Sequence, residues 1–438
     1  MKIGITLLAI INMFFSVCAY AVPTPQIQIQ HWKMKSGANV FFIAAPEIPM
    51  VDVRVIFAAG SAYDGEHWGI ANLTNVLLNQ GTTLLSANQI ADQMDQAGAM
   101  ITRNIDQDMA IVTLRSLTNL KYLQPALKVL HSVITQPTFS NSAIERMKMR
   151  QMAEIKVGQQ TPDVIASEAL YHVLYQSQPY GHSPLGTIDS LKSITASEIK
   201  NFYHRYYVSR NTNVVVVGAV SITQAHEIAN TILDGLAPGK IAPKLKEVNK
   251  TSKAIIQHIH YPSQQTAIML GQVGINRYNP NYIALKVGNA ILGALPMNSI
   301  LFNQVRTQRG LAYYVISFFN PLEYRGPFMI NLKTRNAKVS EAITVVRKSL
   351  DNFISHGPTI AQLRAAKKNI LGQFPLGLST NESLLQNVTN IAFYDLPLNF
   401  LNTYPNKVNA LSTNEIKKAF AQTVKPRAMV TITVGPSE

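Results

Sequence analysis

The chain has 438 residues, 47% of them hydrophobic, which is enough to bury a sizeable core in two or more domains. Its formal net charge of +15 favours acidic partners, but the basic residues are scattered and form no nucleic-acid-binding motif, so neither DNA nor RNA is an expected partner. The single cysteine, Cys18, lies close to the N-terminus, which excludes disulfides and thiolate chemistry from the rest of the chain.

The first residues have the pattern of an export signal. Lys2 precedes an apolar run from Ile3 to Val17, and Ala19-Tyr20-Ala21 is a small-x-small cleavage site. We therefore predict a signal peptide over residues 1–21 and export to the periplasm. No later segment reaches eighteen consecutive apolar residues, so no stable membrane insertion is expected.

Apolar periodicity predicts a series of strands and helices in the first half of the chain. The predicted strands are 39–43, 50–59, 100–104, 109–117 and 213–220, and the predicted helices are 70–79, 87–96, 120–134, 141–157, 162–174 and 196–206. Ser86 and Thr195 are in N-cap positions, and Gly98 follows the end of the helix 87–96.

Two segments of the first half recur in the second. Ile194-Thr-Ala-Ser-Glu-Ile-Lys200 is similar to Leu411-Ser-Thr-Asn-Glu-Ile-Lys417, and Val214-Val-Val-Val-Gly218 matches Thr431-Ile-Thr-Val-Gly435 at the same offset, 431 − 214 = 217. The repeat predicts two homologous α+β domains over residues 22–236 and 253–438. The segment 237–252 is rich in proline and lysine and is interpreted as a linker.

The segment Val305–Val315 closes a predicted helix and opens a predicted strand, 312–319. Gly310 is suited to a left-handed helix cap, and the resulting reversal can bring Arg306 and Tyr313 to one side. A guanidinium and a phenol are suitable donors to the carbonyls of an extended peptide or to a developing oxyanion. The alternative is an arginine in a surface ion pair beside a half-buried strand tyrosine.

An ordered set of short motifs runs along the chain: Gly60-Ser61-x-Tyr63-Asp64, Gly69-Ile70-Ala71, Gly81-Thr82, Pro179-Tyr180-Gly181 with Gly186-Thr187, and Arg306…Arg309-Gly310-Leu311-Ala312-Tyr313. The set resembles the pitrilysin/insulinase-like zinc peptidases over essentially the whole chain after residue 21. The resemblance implies two half-domains, each a mostly antiparallel sheet packed with helices, that together form half of a clam-shell.

In that family a helix carries His-x-x-Glu-His and a distant glutamate completes the zinc site. Two imidazoles at i and i+4 share a helix face and bind zinc, and the intervening glutamate is the base that activates zinc-bound water. The corresponding positions here are Asn72, Asn75 and Val76, and only the distant Glu154 remains. We therefore expect the chain to bind no zinc and to be inactive as a peptidase by itself.

Zinc ligands elsewhere in the sequence are not expected. His258 and His260 alternate on one predicted strand and are interpreted as an exposed face, and Glu66-His67 is interpreted as a loop. Histidines at other positions show no metal-ligand spacing: His182, His204 and His226. Gly-x-Ser-x-Gly and glycine-rich phosphate loops are also missing from the sequence.

The resemblance implies a role for the second half. In the family, the arginine and tyrosine at the positions of Arg306 and Tyr313 face the zinc helix of a first half-domain and bind substrate backbone. The resulting prediction is a non-catalytic subunit of a periplasmic heterodimeric zinc endopeptidase, with a catalytic zinc peptidase homologue as partner and a peptide as substrate. The alternatives are a peptide-binding or scaffold module without chemistry, and an active metalloendopeptidase with rebuilt ligands.

The sequence departs from the family pattern at two further places. The usual glycine-rich stretch before the helix of Arg306 is Gly293-Ala-Leu-Pro-Met297, and the usual Asn-Ala of the substrate-pairing strand is Thr102-Arg103. The second change indicates that the first domain of this chain no longer processes peptide.

Overall fold

The computed structural model describes residues 26–247 and 253–436. The predicted signal peptide and residues 248–252 of the predicted linker lie outside these ranges. Across the described ranges, the helices are all too short or too polar to cross a membrane.

The first half forms a six-stranded sheet. Its strands are β1 (Gln30–Lys33), β2 (Asn39–Ala44), β3 (Met50–Phe57), β4 (Met100–Ile105), β5 (Ala110–Leu117) and β6 (Thr212–Gly218), in the order β1-β2-β6-β3-β5-β4. The helices are α1 (Ile70–Leu77), α2 (Ala87–Gln96), α3 (Leu120–Thr135), α4 (Asn141–Gly158), α5 (Pro162–Tyr175), α6 (Ile188–Ser193), α7 (Ala196–Tyr206) and α8 (Ile222–Leu233). The predicted elements of this half are confirmed, with ends that differ by one or two residues.

The second half forms a five-stranded sheet. Its strands are β7 (Ile256–His260), β8 (Gln265–Val273), β9 (Ala312–Phe319), β10 (Pro327–Arg335) and β11 (Val430–Gly435), in the order β7-β11-β8-β10-β9. The helices are α9 (Tyr282–Asn289), α10 (Val339–His356), α11 (Ile360–Gln373), α12 (Asn381–Phe393), α13 (Phe400–Ala410) and α14 (Thr413–Thr423). Two π-helical turns, Ala290–Ala294 and Phe302–Thr307, lie between α9 and β9.

The two sheets share one topology. The order β2-β6-β3-β5-β4 of the first corresponds to β7-β11-β8-β10-β9 of the second, and each begins with a parallel pair followed by antiparallel pairs. The repeated segments found in the sequence are equivalent in structure, because Thr195 and Ser412 both open a helix with a capping box to a glutamate three residues on. The predicted α+β class with two sheets packed by helices is confirmed, and each sheet is mixed.

Each half contributes one helix to the other half. Apolar residues of α5 in the first half, such as Leu170, pack on β8 and β11 of the second sheet, while α12 of the second half packs on β2, β3 and β6. Gly271 on β8 makes room for this contact, since a Cβ there would lie 2.6 Å from Leu170 Cδ2. Two hydrophobic clusters therefore contain residues of both halves, and each sheet is covered by helices of both.

Candidate functional site

The helix α1, which the sequence predicts at the position of the family's zinc helix, is held at its N-terminus by Asp64. The two Asp64 carboxylate oxygens accept hydrogen bonds from the backbone N–H groups of Gly69 (2.7 Å) and Ala71 (2.9 Å), and His182 Nε2 lies 3.0 Å from Oδ2. Burial raises the pKa of Asp64, and the contact with His182 opposes that shift. His182 therefore positions the cap of α1.

Three of the four residues predicted at the family's metal positions meet in one cleft. Asn72, Val76 and Glu154 line a cavity of ≈ 210 Å³ between α1 and α4. Asn75 is buried and ties α1 to the first sheet, because its Nδ2 donates to the backbone carbonyl of Asn104, 2.8 Å away. The described part of the chain contains no group of three histidine, cysteine, aspartate or glutamate side chains able to hold a metal ion.

A guanidinium group lies in this cleft. Arg103, from the edge strand β4, donates from Nη1 to the backbone carbonyl of Val76 and to Asn79 Oδ1 at 2.6 Å, and Arg150 of α4 also lines the cavity. Burial, reinforced by the charge of Arg150, lowers the pKa of Arg103 to about 10, so the group remains a cation at neutral pH. Zinc does not fit this cleft, because Val76 offers no ligand atom and a fixed cation is bonded to its carbonyl.

The structure places Arg306 and Tyr313 side by side. Arg306 lies in the π-helical turn Phe302–Thr307, and the chain reverses at Gly310, whose φ of 57° is in the left-handed region. The N–H of Gly310 donates to the carbonyl of Arg306 at 2.9 Å. As a result, the Arg306 guanidinium carbon lies 4.5 Å from the centroid of the Tyr313 ring and 5.0 Å from that of Phe302.

Tyr313 is exposed to solvent, and Arg306 beside it is half-buried. Tyr313 is 76% exposed, and none of the salt bridges among residues 26–247 and 253–436 includes Arg306. Arg309 differs, because its Nη1 donates to the carbonyl and side chain of Gln304, at 2.8 Å and 2.9 Å. The alternative of a surface ion pair beside a half-buried tyrosine is therefore wrong, although the proposed contact with substrate stays a prediction.

The remaining histidines that were considered as ligands have other contacts. His258 is exposed on β7, with Nδ1 2.9 Å from Thr433 Oγ1, and His260 is also exposed. His67 lies in a loop, with Nε2 3.4 Å from a carboxylate oxygen of Glu198. His226 stacks on a tryptophan and His204 contacts a tyrosine edge-on.

Comparisons with known proteins identify the family. Residues 39–188 match the family model described as insulinase (peptidase family M16), and residues 193–370 match the one described as peptidase M16 inactive domain. The crystal structure of a peptidase M16 inactive domain from Pseudomonas fluorescens is 35% identical, with a TM-score of 0.91 over 94% of this chain and 99% of that one. The chain therefore belongs to the insulinase family of peptidases, M16.

Two further relatives were compared. A curated Helicobacter pylori protein named non-peptidase homolog YmxG is 27% identical over 375 residues, which cover 84% of this chain and 85% of that protein. A chain of Complex III2 from Candida albicans shares the fold, with a TM-score of 0.78 and 16% identity over 93% of this chain and 96% of that one.

Sequence reasoning missed the arrangement inside the cleft. In the sequence Arg103 is only a departure from Asn-Ala, and no motif includes Arg150 or Gln151. A signal was present, because Met147, Arg150, Gln151 and Glu154 follow the spacing i, i+3, i+4, i+7 and so share one helix face.

Proposed function

We propose that this chain is a non-catalytic subunit of a heterodimeric zinc endopeptidase. In this proposal Arg306 and Tyr313 donate hydrogen bonds to a substrate peptide held at the zinc site of a homologous partner subunit. The zinc belongs to the partner, because the cleft of this chain does not fit a metal ion.

The observation that carries the proposal is the contrast between the two sites. The predicted metal positions are Asn72, Asn75 and Val76 and the cleft holds a cation, whereas the Arg306 guanidinium carbon lies 4.5 Å from the ring centroid of the exposed Tyr313. Stacking on two aromatic rings fixes the guanidinium plane and leaves its N–H groups free for carbonyl oxygens. The relative named a non-peptidase homolog and the relative found within a complex support the same function.

The proposal includes the location and composition of the subunit. Export through residues 1–21 would deliver the chain to the periplasm. There the domains 22–236 and 253–438, joined by the linker 237–252, would form half of a closed chamber. The +15 charge of the whole chain, and +14 after removal of Lys2, favours acidic partner surfaces or peptides.

The test is reconstitution of peptidase activity. The purified chain is mixed with an exported homologue from the same organism that carries intact His-x-x-Glu-His, and turnover of a fluorogenic peptide is measured. We expect Arg306→Ala and Tyr313→Phe each to lower kcat about 100-fold, the effect of losing one donor to a developing oxyanion. Complex formation, followed by size-exclusion chromatography, should be unchanged.

The matched control is Arg309→Ala, which removes a guanidinium three residues away that is already bonded to Gln304. It should retain the activity of the unmodified mixture. If the Arg306 and Tyr313 variants were as active as the unmodified mixture, the assigned role would be contradicted. That result would favour the peptide-binding or scaffold module. Stoichiometric zinc in the isolated chain would favour an independently active enzyme.

A further inference from the structure

The cleft between α1 and α4 has the electrostatics of an anion site. Arg103 and Arg150 both line the cavity of ≈ 210 Å³, and none of the salt bridges in the described ranges includes either of them. Glu154, at the same cavity, is exposed and makes no salt bridge to a described residue. The three charges sum to +2 − 1 = +1, so the cavity carries one uncompensated positive charge.

Polar groups around the cavity also lack partners. The Nε–H of Arg103 is buried and has no acceptor among the described residues, although the other end of its guanidinium is bonded to Val76 and Asn79. The Asn72 amide makes no hydrogen bond to a described residue either. Unpaired buried groups are costly, and at this cavity they include the acceptor Gln151 Oε1 as well as the Arg103 donor, so the net positive charge is what favours an anion.

We propose that this cleft binds the carboxylate of a peptide, with Arg103 and Arg150 as the charged ligands and Asn72 as an amide donor. A guanidinium is matched in shape to a carboxylate, which accepts two parallel N–H bonds. The single uncompensated charge favours a monoanion over a phosphate dianion, since Glu154 would repel the second negative charge. A cavity of ≈ 210 Å³ has room for a carboxylate with the carbons that carry it.

The proposal is independent of Arg306 and Tyr313, because those residues lie in the second half and the binding is measured without a partner. The site of the family's metal cation would thus have become the site of an anion. The guanidinium of Arg103 supplies the positive charge that attracts an anion to this cavity.

The experiment is isothermal titration calorimetry on the chain without residues 1–21, at low ionic strength. The first pair of probes is acetyl-tetra-alanine with a free C-terminal carboxylate and the same peptide as its amide. The second pair is acetyl-Ala-Ala-Glu-Ala-amide and its glutamine counterpart. Binding of the first carboxylate assigns the site to peptide C-termini, and binding of the glutamate peptide assigns it to acidic side chains. Failure of both carboxylates, or binding of inorganic phosphate alone, overturns the proposal.

Variants locate the binding. Arg150→Gln, at an exposed position, and Arg103→Gln should each weaken carboxylate binding about tenfold, as expected for loss of a charged hydrogen-bond donor. Glu154→Gln should tighten it, because a repelling charge is removed. The control is Lys156→Gln, which removes a positive charge from α4 two residues after Glu154 and so from a different face. Unchanged affinity in both arginine variants would overturn the assignment.

Discussion

At the scale of single residues, the loss of zinc is more than the loss of ligands. Asn72 and Val76 still face the cavity, so restoring two imidazoles there would recreate the spacing of a zinc helix. The guanidinium of Arg103, however, is bonded to the Val76 carbonyl inside the cleft. A divalent cation would lack imidazole ligands in this cleft and would also be repelled by a fixed positive charge.

This arrangement predicts the result of rebuilding the metal site. The triple variant Asn72→His, Asn75→Glu, Val76→His should bind no more than about 0.1 equivalent of zinc, because Arg103 repels the ion. Adding Arg103→Ala should raise occupancy to near one equivalent, since Glu154 completes three protein ligands. Zinc is measured by mass spectrometry after dialysis. Full occupancy of the triple variant would contradict the role given to Arg103.

At the scale of elements, the exchanged helices are fixed by matched acidic residues. Glu382 near the start of α12 accepts from Arg54 at 3.0 Å, and Asp163 near the start of α5 pairs with Lys333 and accepts from the Tyr314 hydroxyl at 2.9 Å. Their offset, 382 − 163 = 219, is close to that of the internal repeat. Each acid also lies in the first turn of its helix, where the helix dipole favours negative charge.

Arg54 of β3 makes several polar contacts to α12. Its buried guanidinium also donates to Gln386 Oε1 at 2.9 Å and Thr389 Oγ1 at 3.2 Å. Arg54→Met should therefore lower the free energy of unfolding by about 2–3 kcal/mol, and should speed amide hydrogen exchange in α12.

The matched control for this prediction is an exposed ion pair. Lys192→Ala removes a partner of Asp189, 3.5 Å away on the surface, and should change stability by no more than about 0.5 kcal/mol. Both variants are compared by urea denaturation. Equal free energies of unfolding for the two variants would show that Arg54 does not hold α12 on the first sheet.

At the scale of the whole molecule, the loop between β4 and β5 connects the halves. Asp108 accepts from the hydroxyls of Tyr180 (2.6 Å) and Tyr394 (2.9 Å) and from the backbone N–H of Glu323 (2.8 Å), the last two belonging to the second half. Burial, with the added effect of Asp108, raises the pKa of the adjacent Asp106 to about 7.

The raised pKa of Asp106 predicts how stability depends on pH. A carboxyl group that binds its proton more tightly in the folded state stabilises the fold below its unfolded pKa of 3.8, and that stabilisation is lost as pH rises to about 7. Asp106→Asn keeps the Oδ1 acceptor for Asp108 N–H and Met109 N–H but cannot ionise. From about pH 4 to about pH 8, the free energy of unfolding of the variant should rise relative to that of the unmodified chain. A difference between the two that stays constant with pH would contradict the assignment.

Much of the architecture followed from the sequence alone. Helix caps at Ser86 and Thr195, the left-handed Gly310 and the repeat at offset 217 depend on local patterns, and all are confirmed. The family was also identified correctly from short motifs, because these motifs keep their order along the chain. The assignment of Asn72, Asn75 and Val76 to the zinc-ligand positions also came from the sequence and stays a prediction.

Contacts between distant segments were decided only by the tertiary structure. Nothing in the periodicity of α5 or α12 indicates that each packs on the sheet of the other half, since an apolar face does not specify its partner. The same holds for Arg103, which reaches Val76 across 27 positions, and for Arg306, whose stacking between Phe302 and Tyr313 depends on a π-helical turn. Local sequence thus determined the elements and the missing zinc ligands, whereas long-range packing decided which side chains meet, because such contacts depend on the folded path of the whole chain.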